Sequence, residues 1–348
     1  MNRDSLIYVA GHTGLVGSAI VRCLKNKGYR RILMRSRNEV DLTSQEQTRQ
    51  LFADHPIEYV FLAAAKVGGI MANSTQQGDF IYENLAIATN VIRAAQESGV
   101  QKLLNLGSSC IYPRQAPQPI KEEYLLSGPL EPTNEGYAIA KIAALKLCRY
   151  FNEQYGTNFL SVMPTNLYGP GDAYHLKYSH VLPGLIRKFH LGKLLAENKH
   201  DEIIADIHRH EIGTCSNLAE YLEWLNSHGI TRETIALWGS GQPRREFLYV
   251  DDLAEATVFL MERHNASDVG EVINIGTGED ISIHELALMI KEITGYPGEI
   301  AWDMTKPDGM PCKLLDVSRI RKLGWQPAVD LTTGIKTTYG VYSKTGTQ

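Results

Sequence analysis

Short apolar runs and longer stretches with helical spacing alternate along the first half of this chain, and that rhythm leaves few architectures open. Residues 6–10, 31–34, 59–65, 102–106 and 159–163 are strand-like, while 14–27, 82–97 and 136–155 repeat apolar residues every three or four positions. Strands that are apolar almost throughout must be buried on both faces, and strands separated by helices run parallel. The expected fold class is therefore α/β, a doubly wound parallel sheet of the Rossmann type with helices on both faces. The pattern breaks at the Pro/Gly-rich stretch 164–171. A helix at 251–264 and a strand at 272–275 read as returns to the sheet. We therefore expect a dinucleotide-binding domain of residues 1–168 plus about 246–276. A smaller, interleaved substrate domain takes 169–245 plus 277–348, with helices at 180–191, 283–294 and 314–323 and a polar, histidine-bearing stretch at 192–234.

Composition removes other classes. The 35 Lys+Arg against 39 Asp+Glu leave a net charge of -4, too little basic field for non-specific nucleic-acid binding. The five cysteines are scattered without a C-x-x-C pair, which speaks against a disulfide framework and for a reducing, cytoplasmic setting. No signal-like segment opens the chain, and no apolar run reaches the roughly 18 residues of a membrane span. His200, His208, His210 and Cys215 carry zinc-ligand types, but a site needs four convergent ligands and the stretch reads as merely polar, so no metal is expected.

The first strand runs into Gly11-His12-Thr13-Gly14-Leu15-Val16-Gly17, which opens a helix. Glycines there let the backbone approach a pyrophosphate, whose charge meets unpaired N–H groups and the helix dipole. The spacing is G-x-x-G-x-x-G. Its place between the first strand and first helix makes it a nucleotide motif rather than a plain tight turn. At the end of the second strand stand Arg35 and Arg37 with no acid, which suits the 2′-phosphate of NADP better than the ribose of NAD; the other reading is a solvated basic tip. Asp41 is a candidate for the adenine edge.

Ser108 follows the 102–106 strand, and Tyr137 and Lys141, four apart on a helix, share one face. An ammonium beside a phenol lowers its pKa from about 10 toward the working range, and a serine hydroxyl can hold a carbonyl oxygen. Any helix can carry Tyr and Lys at this spacing; after a nucleotide turn and a strand-end serine, the set reads as proton chemistry.

Gly11 to Gly17 with Ser108, Tyr137 and Lys141 resemble the extended short-chain dehydrogenase/reductase family. The strings Leu106-Gly107-Ser108-Ser109-Cys110-Ile111-Tyr112-Pro113, Pro164-Thr165-Asn166-Leu167-Tyr168-Gly169-Pro170, Ser179-His180-Val181-Leu182-Pro183 and Lys306-Pro307-Asp308-Gly309 are similar to its epimerase-reductases of GDP-4-keto-6-deoxymannose. The resemblance covers all but about 192–234. It implies NADPH as cofactor, a GDP-linked 4-keto sugar as substrate, inversion at C3 and C5 followed by reduction at C4, and a homodimer. Ser108 and Tyr137 would hold the C4 oxygen, Tyr137 would protonate it, and Lys141 would tune Tyr137 and bind the nicotinamide ribose. Cys110 and His180 would be the acid-base pair; if the strand continues, Cys110 and Ser108 point to one side. Leu106 to Ser109, Pro164 to Leu167 and His180 would line the cofactor. Lys188, Trp238, Arg245 and Asp308 would bind substrate, the cations on the diphosphate and Trp238 as a stacking face. His12 stands where the family often has arginine. Two other readings stay open: a C4 reductase of another GDP-4-keto sugar, a heptose or dideoxy sugar, and a non-catalytic dinucleotide sensor, in which Ser108, Tyr137 and Lys141 would serve no purpose.

Overall fold

The computed structural model describes residues 1–210, 217–306 and 308–344. The chain forms two compact units, one of Met1–Leu167, Glu246–Gly278 and Leu314–Ala328, the other of Tyr168–Arg245, Glu279–Lys313 and Val329–Gln348.

The first unit is built on a six-stranded parallel sheet. Its strands are β1 (Ile7–Ala10), β2 (Ile32–Leu33), β3 (Tyr59–Leu62), β4 (Lys102–Leu106), β5 (Phe159–Pro164) and a last strand, Ile273–Ile275, in the order β2-β1-β3-β4-β5-last. Every residue of β1, β4 and β5 is buried because successive side chains enter opposite apolar layers. Ile7, Val9, Phe61, Leu104 and Leu160 face one layer, which contains Leu24 and Leu253. Tyr8, Ala10, Val60, Leu103 and Phe159 face the other, against Val91, Ile92 and Cys148. This makes the fold a doubly wound, Rossmann-like α/β sheet. Because β1 lies between β2 and β3, the strand order reverses at its carboxyl end, the place where open α/β sheets take ligands.

Two boundaries differ from the sequence reading. The 59–65 run leaves the sheet after Leu62, and the 314–323 helix shrinks to Ser318–Lys322. Residues 314–328 also belong to the first unit rather than to the smaller domain. Hydrogen bonding and packing decide this. The Leu315 N–H donates to Glu246 Oε2 at 3.0 Å, Arg319 donates to the Val272 and Val269 carbonyls at 3.0 and 2.7 Å, and Ile320 and Trp325 join the core.

In the second unit, Thr234–Trp238 pairs in parallel with Glu299–Asp303, and helices span Val181–Ala196, His200–His210, Leu218–Ser227 and Ile283–Thr294. The stretch expected to be simply polar is instead a packed helical layer: Ile203, Ile207, Tyr221 and Leu225 close on Leu191, Leu194 and Leu195. His208 meets the Tyr221 hydroxyl at 2.5 Å, and His210 stacks on Tyr342. Cys215 lies outside the described residues. Among the described residues no His/Cys/Asp/Glu group is arranged to hold a metal, and no helix is long and apolar enough to cross a membrane.

Candidate active site

The glycine turn is tight for a steric reason. Gly11 has φ +80°, and a Cβ on it would lie 2.7 Å from the Ala64 backbone; a Cβ on Gly17 would lie 2.1 Å from the Gly11 carbonyl oxygen. Gly14 caps the Leu15–Asn26 helix, here α1, with no side-chain hydrogen bond, and the first turn holds no acid. The leading N–H groups of a helix have no intrahelical partners, so this end is left for an anion. A dinucleotide diphosphate fits that cradle. Thr13 and Gly14 are exposed, whereas Leu15 and Val16 pack on the core. His12 presents a buried Nδ1 without a hydrogen-bond partner.

At the tip of β2, Arg35 donates to the Met34 carbonyl at 2.9 Å and meets His55 Nε2 at 3.4 Å, while exposed Arg37 pairs with Glu83 at 3.4 Å. Asp41 is engaged locally: Oδ1 accepts from the Thr43 N–H and hydroxyl at 3.0 and 2.8 Å, and these bonds hold its pKa below the ordinary range.

The proton-handling residues gather beyond β4. Gly107 donates to the Val162 carbonyl at 2.9 Å and keeps the chain beside β5 as far as Ser108. The strand does not continue through Cys110, so the condition for it and Ser108 to point to one side by strand alternation is not met. Buried Ser109 begins a 3-10 turn, Ser109–Ile111, and the Ser108 hydroxyl oxygen accepts from the Cys110 N–H at 3.4 Å. The turn, not strand alternation, therefore brings the buried Cys110 thiol near both Tyr137 and Lys141, whose charges it influences. Those two come from the Glu135–Tyr155 helix. Lys141 Nζ donates to the Leu106 carbonyl at 2.7 Å and lies 5.7 Å from the Tyr137 ring centroid.

The expected lowering of the Tyr137 pKa by Lys141 is not what this environment produces. Burial drives the phenol pKa up, Cys110 adds to the rise, and a hydrogen bond with Ser108 opposes it. The phenol thus keeps its proton, as a proton donor to a carbonyl oxygen must. Burial also brings the Lys141 ammonium down to about 8. An unfolded lysine, near 10.4, holds its proton at pH 9, where folded Lys141 has lost it. Stability should therefore rise between pH 8 and 10 relative to Lys141→Met, because the unfolded chain binds more protons there. Urea unfolding of both proteins across that range measures the difference, and parallel pH dependences would contradict the assignment.

At the end of β5, Pro164 is followed by Thr165, whose N–H donates to Ile275, and Asn166, whose amide donates to the Glu246 carbonyl at 2.8 Å; Leu167 packs on the core. The fully buried Glu246 carboxylate accepts from Gly278 N–H and Leu315 N–H at 2.8 and 3.0 Å. Asn84 brackets the backbone of Lys66, accepting from its N–H and donating to its carbonyl at 3.0 Å each, which orders the loop after β3. Neither residue stands out in the sequence, because each finds its partners far along the chain.

In the second unit, His180 precedes the Val181–Ala196 helix and is exposed as a residue; partial desolvation, and then the charge of Lys313, push the imidazole pKa down. Lys188, expected to contribute a point charge to the diphosphate, has Nζ donating to the His228 and Ala236 carbonyls at 2.8 and 2.9 Å, and burial brings it to about 8. Trp238 is exposed, with Lys306 over its ring. Arg245 donates to the Met310 carbonyl at 2.5 Å, and Asp308 accepts from the Ser240 N–H and hydroxyl at 2.8 and 2.6 Å. Asp308 thus shapes the Gly239–Ser240 turn, where Gly239 has φ +76° and no room for a Cβ.

A dinucleotide cradle at a topological switch point, with a Ser/Tyr/Lys group beside it, defines a nucleotide-dependent short-chain dehydrogenase/reductase class. The chain belongs to the NAD dependent epimerase/dehydratase family, whose sequence model matches residues 7–276. It is 48% identical over 343 residues to GDP-L-fucose synthase 1 of Arabidopsis thaliana, covering 99% of this chain and 94% of that protein. Among solved structures it resembles a GDP-6-OMe-4-keto-L-xylo-heptose reductase from C. jejuni, with a TM-score of 0.94, 40% identity and 99% of both chains covered. It also resembles the NADP-bound GDP-mannoheptose C4 reductase of Campylobacter jejuni, with a TM-score of 0.87, 40% identity, and 98% of this chain and 99% of that one covered.

Proposed function

We propose that this protein converts GDP-4-keto-6-deoxy-D-mannose to GDP-L-fucose, inverting C3 and C5 and then reducing C4. The observation that carries the reading is the Cys110 thiol beside the Ser108, Tyr137 and Lys141 group, in a chain 48% identical to a GDP-L-fucose synthase. The glycine turn, Arg35, Arg37 and Lys141 would hold NADPH, which when bound supplies the hydride for C4. The C4 carbonyl acidifies the C–H bonds on either side of it, and the Ser108 and Tyr137 hydroxyls stabilise the enolate oxygen that results. Cys110 and His180 remove and return the protons at C3 and C5; a thiol and an imidazole are the side chains whose ordinary proton exchange lies nearest neutrality. Tyr137 then protonates the C4 oxygen. Arg245 and Trp238 hold the GDP end, with Asp308 shaping their loop and Lys188 tying its helix to the His228 and Ala236 backbone. The protein is taken to work in the cytoplasm as a homodimer.

The second reading, C4 reduction of a GDP-linked heptose, rests on the 40% identity to the heptose reductases. Turnover with NADPH in deuterated water separates the two. Deuterium at both C3 and C5 of a fucosyl product is expected; reduction with no deuterium at either carbon favours the reductase. Cys110→Ser should lower the deuterium incorporation about 100-fold or more while NADPH affinity stays within about twofold. Unchanged incorporation would remove Cys110 from the mechanism.

A further inference from the structure

The last strand of the first unit, Ile273–Ile275, carries a polar residue between two apolar ones, and that residue, Asn274, is 0% exposed. A buried amide needs its donors and its acceptor met, and here each is used. The Asn274 N–H donates to Glu122 Oε1 at 3.0 Å, and Nδ2 donates to the Ile120 and Asp316 carbonyls at 3.0 and 3.2 Å. Oδ1 accepts from the Tyr112 hydroxyl at 2.6 Å. Tyr112 is itself buried, and it closes the Ser109–Ile111 turn that holds Cys110.

That turn is weak by itself. A 3-10 turn has poor hydrogen-bond geometry, and the bonds within this one are long. The Ile111 N–H donates to the Ser108 carbonyl at 3.3 Å, the Cys110 N–H to the Ser108 hydroxyl oxygen at 3.4 Å and the Tyr112 N–H to the Ser109 carbonyl at 3.5 Å. Shorter bonds stand on either side of it. Before the turn, the Gly107 N–H donates to the Val162 carbonyl at 2.9 Å; after it, the Tyr112 hydroxyl meets Asn274.

We propose that Tyr112 and Asn274 are positioning residues, whose hydrogen bond fixes the turn that directs the Cys110 thiol. The inference rests on the epimerase reading of Cys110. Ser108 precedes the turn, next to the Gly107–Val162 bond, and Tyr137 comes from the Glu135–Tyr155 helix, so neither depends on the Tyr112 anchor. Loss of that anchor therefore displaces the thiol and leaves the two hydroxyls at the C4 oxygen in place. A shift of about 1 Å in a reacting group costs on the order of 100-fold in rate.

The test compares two steps in the same variants. Deuterium exchange at C3 and C5 of GDP-4-keto-6-deoxy-D-mannose, with NADP⁺ bound, reads the thiol; single-turnover reduction of NADP⁺ by GDP-L-fucose reads the C4 step alone. Tyr112→Phe keeps the buried ring and removes the hydroxyl. Asn274→Ser removes the acceptor and leaves room for water at the Ile120 and Asp316 carbonyls. Both should slow exchange about 30-fold, with the C4 step and NADPH affinity changed by less than about threefold. Glu122→Ala loosens the same buried group but spares the Tyr112 bond, so its exchange should fall no further than its C4 step. Wild-type exchange in both variants, an equal fall of exchange and the C4 step, or a selective loss of exchange in Glu122→Ala would overturn the role of the Tyr112–Asn274 bond. Wild-type protein that carries out the C4 step but exchanges neither C3 nor C5 would instead refute the epimerase reading itself.

Discussion

Replacing Tyr137 with phenylalanine should lower the rate of NADPH-coupled C4 reduction about 1000-fold, while hydrogen exchange at the sugar's C3 and C5 falls by no more than about tenfold. A positioned general acid contributes roughly 10²- to 10⁴-fold, and the phenol is the group whose surroundings keep it protonated. Phenylalanine retains the ring that meets Phe80 edge-on, with centroids 6.3 Å apart, so the helix that carries Lys141 is not disturbed. Exchange survives because Ser108 still donates to the enolate oxygen and Cys110 is untouched. Stopped-flow NADPH absorbance and NMR of the sugar in deuterated water read the two steps separately. A variant that reduces at the wild-type rate would show that another group supplies the proton to the C4 oxygen.

Asp206→Ala should cost the second unit about 3–5 kcal/mol of stability, because it strands a buried charge. Arg187 is 0% exposed and pairs with Asp206 at 2.8 Å, itself 6% exposed; a second guanidinium nitrogen donates to the Tyr174 carbonyl at 3.1 Å. The Tyr342 hydroxyl, on the helix Leu331–Lys344, also bonds to Asp206, so that helix loses an acceptor in the same variant. Replacing the pair together, Arg187→Met with Asp206→Leu, should recover most of the loss, since buried ion pairs often exchange for apolar pairs near neutrality. Urea unfolding followed by tryptophan fluorescence is suited to both, as the Arg187 guanidinium lies 5.6 Å from the Trp224 ring. A loss under about 1 kcal/mol in the single variant would mean that the pair does not hold this layer together.

The candidate site was legible where chemistry depends on residues close in sequence. Glycines three apart at the end of a buried strand, and a tyrosine and lysine one helical turn apart, encode their own local geometry. Cys110 was found through the resemblance, but its direction was not legible, since a 3-10 turn rather than a continuing strand sets it. The bonds of Lys188 to His228 and Ala236 were not legible, because they arise only when the segments after the Leu218–Ser227 helix and along the Thr234–Trp238 strand pack beside it.

The alternating apolar runs determined a parallel sheet covered on both faces, and the motif spacings determined the family, because both are written in short-range periodicity and local backbone preference. Tertiary structure alone decided that residues 314–328 join the sheet's unit, that the 192–234 stretch buries Asp206 against Arg187, and that the Tyr137 phenol keeps its proton. Each of those depends on desolvation and on hydrogen bonds between residues distant in the chain, and neither can be read from the order of residues before the fold brings them together.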